Sequence, residues 1–315
     1  MRAIALDQFG GPERLKLVEL PRPRPGPDEL LIHVVAAGVN PVDWKIREGL
    51  LQEVLPHGFP LIPGWDAAGA VEEFGGGVSG FRRGERVYTY ARKAEVRWGC
   101  YAEYVAVPAA NVARMPAKLL FEEAAAVPLA ALTAQQALFG AVAPGPGRSV
   151  LIHAAAGGVG HFAVQLAKAA GAWVAGTAGR ANHPFLLSLG ADAAIDTAET
   201  DLGAELRRLL PAGFDLVLDA VGGTTLATSY AATKPGGRVV SIVDRPDAGA
   251  AAARGITAEF LFVRPSGEQL AQLAAALDRQ QLRVEVQKIY PLAAAAQAQE
   301  VSRAGHVRGK LVLGI

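Results

Sequence analysis

Between the apolar run Ser149–His153 and a stretch of helical periodicity lies the turn Ala155-Ala156-Gly157-Gly158-Val159-Gly160, and no other feature limits the fold so narrowly. After the turn, Val159, Phe162, Ala163, Leu166 and Ala169 recur at helical spacing, and Gly171 follows as a stop. A second apolar run, Trp173–Thr177, comes next. Strand, glycine turn, amphipathic helix and strand within about thirty residues form one βαβ unit of the dinucleotide-fingerprint kind. The middle glycine of such a turn lets backbone approach a pyrophosphate, and the last lets helix pack on strand. The helix N-terminal amides then face the phosphates. Ala155 stands in the first glycine position, and Ala156, Gly157, Gly158, Val159 and Gly160 are the candidate cradle. A glycine turn that serves packing alone is the competing reading.

Two further apolar runs, Phe214–Asp219 and Arg238–Val243, alternate with helical text, which predicts a parallel, doubly wound sheet. Before Pro116 the rhythm is different. Arg2–Phe9, Leu15–Leu20, Leu30–Ala37, Gly69–Phe74, Arg86–Tyr90 and Tyr101–Val107 read as short strands, separated by turn clusters such as Pro21–Asp28 and Gly75–Gly80. That spacing predicts a barrel or sandwich. Pro21, Pro23, Pro25 and Pro27 make a stiff spacer. Beyond Leu282, β-like text (Val284–Tyr290, Lys310–Leu313) surrounds an Ala-rich helix and is expected to rejoin the first domain. With 315 residues, too many for one ordinary core, the expected division is 1–118 with 268–315 as a β-rich domain and 119–267 as the parallel-sheet insert.

The end of the second strand of a dinucleotide unit, about 20 residues past the glycines, selects the nucleotide. Here it reads Trp173-Val174-Ala175-Gly176-Thr177-Ala178-Gly179-Arg180, without Asp or Glu. An acid there would bind a ribose 2′-hydroxyl and repel a 2′-phosphate. Its absence, with Thr177 at the strand end and Arg180 and His183 beyond, favours NADPH. A solvated loop arginine is the alternative reading of Arg180. Ligands of open α/β sheets lie at carboxyl ends of strands, so Val221 and Ile242 are candidates to touch the nucleotide. Asp219 is equally readable as a turn residue.

Composition excludes several classes. A chain 51% hydrophobic and 19% charged buries too much to be disordered. Net charge is +1 from 31 basic and 30 acidic residues, which gives neither nucleic acid nor an anionic membrane a footprint. The single cysteine, Cys100, makes neither an internal disulfide nor a multi-thiolate zinc site. The start reaches Asp7 before any apolar segment, so no signal peptide is expected. Ala124–Ala143 is apolar but interrupted by Pro128, Gln135 and Gln136, and reads as a buried helix rather than a membrane span. A soluble cytoplasmic protein is the expectation.

Several segments together resemble the medium-chain dehydrogenase/reductase superfamily, in its zinc-free quinone oxidoreductase branch. They are Ala37-Gly38-Val39-Asn40-Pro41-Val42-Asp43, Ile62–Gly69, Val127–Ala134, His153–Gly160, Asp219–Gly223 and Gly305–Lys310. The resemblance covers essentially the whole chain. It implies a GroES-like β-rich catalytic domain split around a Rossmann domain, with the active site in the cleft between them. Zinc-dependent relatives hold their metal at places that here read Asn40, Trp65 beside Asp66, and Leu129, so no metal is expected. The implied chemistry is metal-free hydride transfer from NADPH to a quinone or activated enone, with an alkenal or enone double-bond reductase as the alternative within the family. An NADPH sensor with little turnover and a zinc alcohol dehydrogenase are the rivals.

The resemblance also implies roles for individual residues. Asn40 and Asp43 stand at catalytic positions, although Asn40, Pro41, Asp43 and Gly49 equally describe a short capped helix. Lys45 is placed to reach the cofactor, or is a surface lysine. Trp65 would wall the space left by a missing metal, or be a core tryptophan. Thr133 matches a position near the nicotinamide, or back-bonds within its helix. Tyr101 and Tyr104 alternate along a strand, with Tyr101 near the cleft, against the reading of both as packing residues. The family's usual Tyr near Thr197 is absent, which leaves the NADPH preference on Arg180 and His183. Phe262 lies where the last Rossmann strand passes the nicotinamide. The apolar edge Ile256–Val263 needs covering, which a homodimer would supply. Lys310 or Arg308 is a candidate for a cofactor phosphate, against a solvated terminus.

Overall fold

A computed structural model describes residues 1–197 and 201–315. The chain divides into two compact units, Met1–Leu132 with Pro265–Ile315 and Thr133–Arg264.

The first unit is built on the eleven-residue strand Glu29–Val39. Asp66–Phe74 pairs antiparallel along one side of it. On the other side Tyr104–Pro108 pairs with its first half and Lys310–Gly314 with its second. The sheet continues outward through Arg86–Tyr90 and Val112–Arg114 at one end and Val286–Pro291 at the other. Leu30, Ile32, Val34, Ala37 and Val39 enter its core beside Val71, Val105, Tyr101 and Leu311. Transfer of apolar surface from water at about 25 cal/mol per Å² is what holds such a layer together. The C-terminal text therefore rejoins the first unit, and this unit is a β-rich fold as expected. The short helix Pro41–Arg47 follows the central strand directly, with Pro41 supplying the fixed φ that suits a first helical position.

The second unit is a six-stranded parallel sheet. Its strands are β1 (Ser149–Ile152), β2 (Trp173–Thr177), β3 (Ala193–Ile195), β4 (Phe214–Asp219), β5 (Thr233–Ser241) and β6 (Thr257–Phe260). Their spatial order is β3-β2-β1-β4-β5-β6. This order reverses direction at β1, the topological switch point where doubly wound sheets bind ligands. Val150, Leu151 and Ile152 are wholly buried, as are Val217 and Leu218, which explains why these strands read as unbroken apolar runs. Helix α1 (Gly158–Ala169) crosses from β1 to β2.

Three expectations need correction. Burial of α1 wraps further round than the stripe of Val159, Phe162, Ala163, Leu166 and Ala169. His161, Val164, Gln165 and Ala167 are also buried, while Ala169 is exposed. His161 and Gln165 can be buried because their side chains bond to carbonyls one turn back, those of Gly157 and His161. The edge strand expected over Ile256–Val263 closes at Phe260, so Phe262 lies in the segment beyond it. The stretch Ala124–Ala143 falls into two helices, Phe121–Ala125 and Pro128–Leu138, with Pro128 at the start of the second.

Candidate cofactor site and polar core

At the end of β1 the chain turns sharply. The Ala154 backbone has a positive φ of 51°, and its carbonyl accepts the Gly157 N–H at 2.9 Å. The Ala155 N–H donates to the Thr177 carbonyl of β2, which pins the turn against the neighbouring strand. Gly157 is the N-cap of α1 and offers no side-chain acceptor, so the first-turn amides are not capped by it.

The glycines divide the work. A Cβ on Gly160 would lie 2.3 Å from the Ala154 carbonyl oxygen and 2.5 Å from the Ala155 Cα, so helix and strand approach too closely for any side chain. A Cβ on Gly157 would meet only the Ala154 oxygen, at 3.2 Å, and otherwise project into open space. Ala155, in the place of the first glycine, is accommodated from the other side. The residue facing it on β2 is Gly176, where an added Cβ would come within 2.7 Å of the Ala155 methyl.

Because the sheet is parallel, all its carboxyl ends lie along one edge. That edge gathers the candidate cofactor residues of this unit. Ala156–Gly160 follow β1. Thr177 ends β2, and Arg180 opens the turn Arg180–Asn182 that leads to His183. Val221 follows β4, and Ile242 follows β5. Asp219 is the last residue of β4, and its side chain holds the turn that follows. Its carboxylate accepts the Val221 and Gly222 N–H groups at 3.1 and 3.0 Å and the Ser241 hydroxyl at 2.8 Å, which holds Val221 out at 49% exposure.

Thr177 is buried rather than presented. Its hydroxyl accepts the Ala154 N–H at 3.2 Å and lies 3.2 Å from His153 Nδ1, so it braces the glycine turn. His153 is wholly buried, and burial pushes its imidazole down to about 4, against a smaller opposing pull from Asp219. It is therefore neutral at physiological pH. Arg180 is exposed, and the His183 ring lies 3.2 Å from the Ala178 carbonyl. Thr133 is buried in the helix Pro128–Leu138, and Phe262 is half-buried past β6.

The first unit holds a different set. Asn40, Asp43, Asp66, Tyr101 and Lys310 are all buried and bonded to one another. The Asn40 N–H donates to Asp43 Oδ2 at 2.8 Å, and Tyr101 donates to the same oxygen at 2.8 Å. Asn40 Nδ2 donates to Asp66 Oδ2 at 2.8 Å, and the Leu129 N–H donates to Asp66 Oδ1 at 2.8 Å. Lys310 Nζ donates to the Val39 carbonyl at 2.7 Å and to Asn40 Oδ1, and lies 3.9 Å from Asp66 Oδ2. Burial pushes the Asp43 carboxyl up to about 7 and that of Asp66 up to about 6, with Lys310 pulling both back.

Three expectations change accordingly. Lys310 is turned inward at 3% exposure, because two oxygens at the end of the central strand claim its ammonium; it is not placed to hold a phosphate. Asn40 heads its helix, but its side chain does not cap it, being bonded to Asp66 and Lys310; the helix entry is closed by Asp43 instead. Tyr101, for which packing was the competing reading, is a donor to that same carboxylate. No local signal could reveal these links, since the partners lie as far as 270 residues apart. Trp65 is 5% exposed and meets Tyr90 edge to face at 6.0 Å, and Lys45 is half-buried on Pro41–Arg47.

Comparison with known proteins agrees with this arrangement. Residues 26–117 match the family model for the alcohol dehydrogenase GroES-like domain, and residues 189–313 match the model described as zinc-binding dehydrogenase. The chloroplast envelope quinone oxidoreductase homolog of Arabidopsis thaliana is 34% identical over 99% of this chain and 98% of its own. The solved quinone oxidoreductase of Coxiella burnetii is 38% identical, with a TM-score of 0.90 over 100% of this chain and 99% of that one. A mycobacterial protein solved in complex with NADPH is 31% identical, with a TM-score of 0.91 over 100% of both chains. With a GroES-like β-rich unit and a nicotinamide-dependent dehydrogenase fold, this chain belongs to the quinone oxidoreductase branch of the medium-chain dehydrogenase/reductase superfamily and is an oxidoreductase.

Proposed function

We propose that this protein reduces quinones or activated enones with NADPH, by hydride transfer that needs no metal. The observation that carries the nucleotide choice is the end of β2, where Thr177 is followed by Ala178, Gly179 and the exposed Arg180, and the strand itself ends without Asp or Glu. The NADPH bound by a relative of the same fold supports it. The cradle fits a dinucleotide: uncapped amides open α1, and the space above Gly157 is space that any Cβ would fill.

Once bound, the dihydronicotinamide supplies the hydride. The chain's part is to hold and orient. Gly157 to Gly160 would receive the pyrophosphate, and Arg180 and His183 would receive the 2′-phosphate. Val221 and Ile242, at neighbouring strand ends, would touch the nucleotide. An electrophilic acceptor needs no stronger polarisation, and its proton can come from solvent, so no side chain is required as an obligatory acid.

Metal independence rests on donors. The places that hold zinc in metal-dependent relatives carry an amide, an indole beside a carboxylate, and an aliphatic chain: Asn40, Trp65 with Asp66, and Leu129. Catalytic zinc takes three nitrogen, sulfur or carboxylate ligands and keeps a fourth position open. Among the described residues no group of three His, Cys, Asp or Glu could hold a metal ion. The residues do not fit zinc, although one matching family model carries that description.

The same reading gives the protein a small-molecule acceptor, a homodimer and a cytoplasmic compartment, with no nucleic-acid partner. No helix among the described residues is long and apolar enough to cross a membrane. Arg180→Ala tests the nucleotide choice. The KM for NADPH is expected to rise about tenfold, the worth of a charge-assisted phosphate contact, while that for NADH stays unchanged. Equal effects on both cofactors would remove Arg180 from the 2′-phosphate.

A further inference from the structure

Around Lys310 Nζ stand three oxygens: the Val39 carbonyl at 2.7 Å, Asn40 Oδ1 within hydrogen-bond reach, and Asp66 Oδ2 at 3.9 Å. This is the environment of a bound cation, and the cation is part of the chain. We infer that the Lys310 ammonium is a built-in counter-ion standing where metal-dependent relatives bind zinc, fixing Asn40 and Asp66 and excluding a divalent ion from between them. The inference deepens the metal-free part of the reading above and rests on it.

The hydrogen-bond inventory supports the exclusion. Each Asp66 oxygen already accepts a hydrogen bond, Oδ1 from the Leu129 N–H and Oδ2 from the Asn40 amide, with the ammonium beside it. Asn40 Oδ1 is taken by the ammonium itself. A zinc ion would have to displace these donors and meet a fixed positive charge in a low-dielectric interior, where repulsion is poorly screened. Cys100, the only thiol, is buried, so the chain has no pair of cysteines to offer a zinc ion.

The position also explains what the cluster does for the fold. Asn40 heads the helix Pro41–Arg47, which carries Lys45. Asp66 opens its strand and holds the Leu129 N–H at the start of the helix that carries Thr133. Lys310, on the C-terminal strand, ties both starting points to one atom. It is a positioning residue: the segments that carry candidate site residues are set by a charge the chain supplies rather than by a metal it must acquire.

Two measurements test this. The full-length protein is incubated with excess zinc, dialysed, and its metal content determined; less than a tenth of an equivalent is expected, on the order of background. Stoichiometric zinc would overturn both the metal-free reading and the role of Lys310. Thermal unfolding at pH 8 is then compared for wild type, Lys310→Met, and Lys310→Met with Asp66→Asn. Methionine keeps the length and removes the charge. The single variant is expected to lose about 10 °C, the effect of stranding a buried carboxylate in a domain of this size. Neutralising Asp66 as well is expected to return at least half of that loss, a rescue that a packing role would not give. A zinc-free wild type whose double variant is no more stable than Lys310→Met, or does not fold, would overturn the inference and leave the metal-free reading standing.

Discussion

Gly157 and Gly160 sit three positions apart in one turn and answer different demands. Gly160 has no room for a side chain, because the obstructing atoms are the backbone of Ala154 and Ala155, which cannot rotate away. Gly160→Ala is expected to destabilise the protein by about 1–3 kcal/mol, the usual cost of overpacking, readable in denaturant unfolding. Gly157 has an ordinary backbone conformation and one close neighbour. Gly157→Ala should therefore leave stability within about 1 kcal/mol of wild type, since alanine also restricts the unfolded chain. Its NADPH affinity, measured by calorimetry, should fall at least about tenfold, because the methyl stands where a phosphate must approach. Unchanged affinity would reassign the turn to packing alone. The motif was readable from residues 155–160 as a unit, but the tolerance of Ala155 was not. It depends on Gly176, which supplies from the next strand the space that a first glycine would leave. The side chain of Asn40 was legible as a polar group at a helix start, yet the partner that decides its role is Lys310, 270 residues on. Local spacing cannot carry that information.

At the scale of elements, β1 and β2 are joined above the ladder by His153 and Thr177. His153 is held neutral by burial, with its imidazole at about 4 against an unfolded value of 6.5. Between those values the unfolded chain binds more protons than the folded one, so stability falls as pH falls. This contribution is fully present above about 6.5 and is lost down to about 4, with Asp219 the charged group facing the ring. At pH 5 the loss amounts to about 2 kcal/mol. Urea unfolding at pH 7 and pH 5 should show it in wild type and show less in His153→Gln. Equal losses in both proteins would mean that the imidazole is not forced neutral by the fold. The outer strand β6 poses a separate question of edges. Leu261 donates to Ser241 on β5, so by the two-residue period the N–H of Ala258 points to the far side. Sedimentation should give a dimer for wild type and a monomer for Ala258→Pro, because proline removes that outward donor and leaves the β5 ladder intact. A variant that stays dimeric would place the interface elsewhere. The β-rich and parallel units were legible because apolar runs and turn clusters have different periods. The early end of β6 at Phe260 was not, since apolar text continues through Val263 with no breaker before Pro265.

In the molecule as a whole, the proposed catalysis without metal requires that the chain bring its own order to both units. One unit offers a strand-edge cradle whose amides and Arg180 suit a phosphorylated dinucleotide, and the other a polar core closed on its own lysine. The measurement that bears most directly on this is the loss of near-ultraviolet absorbance of NADPH, with NADH in parallel, across ortho-quinones, para-quinones and enones, using protein whose zinc content is assayed from the same preparation. Fast, acceptor-dependent oxidation of NADPH by zinc-free protein, with NADH at least about tenfold poorer in kcat/KM, is the expected result. Tight NADPH binding without turnover on any acceptor, or turnover that appears only when zinc is bound, would contradict it.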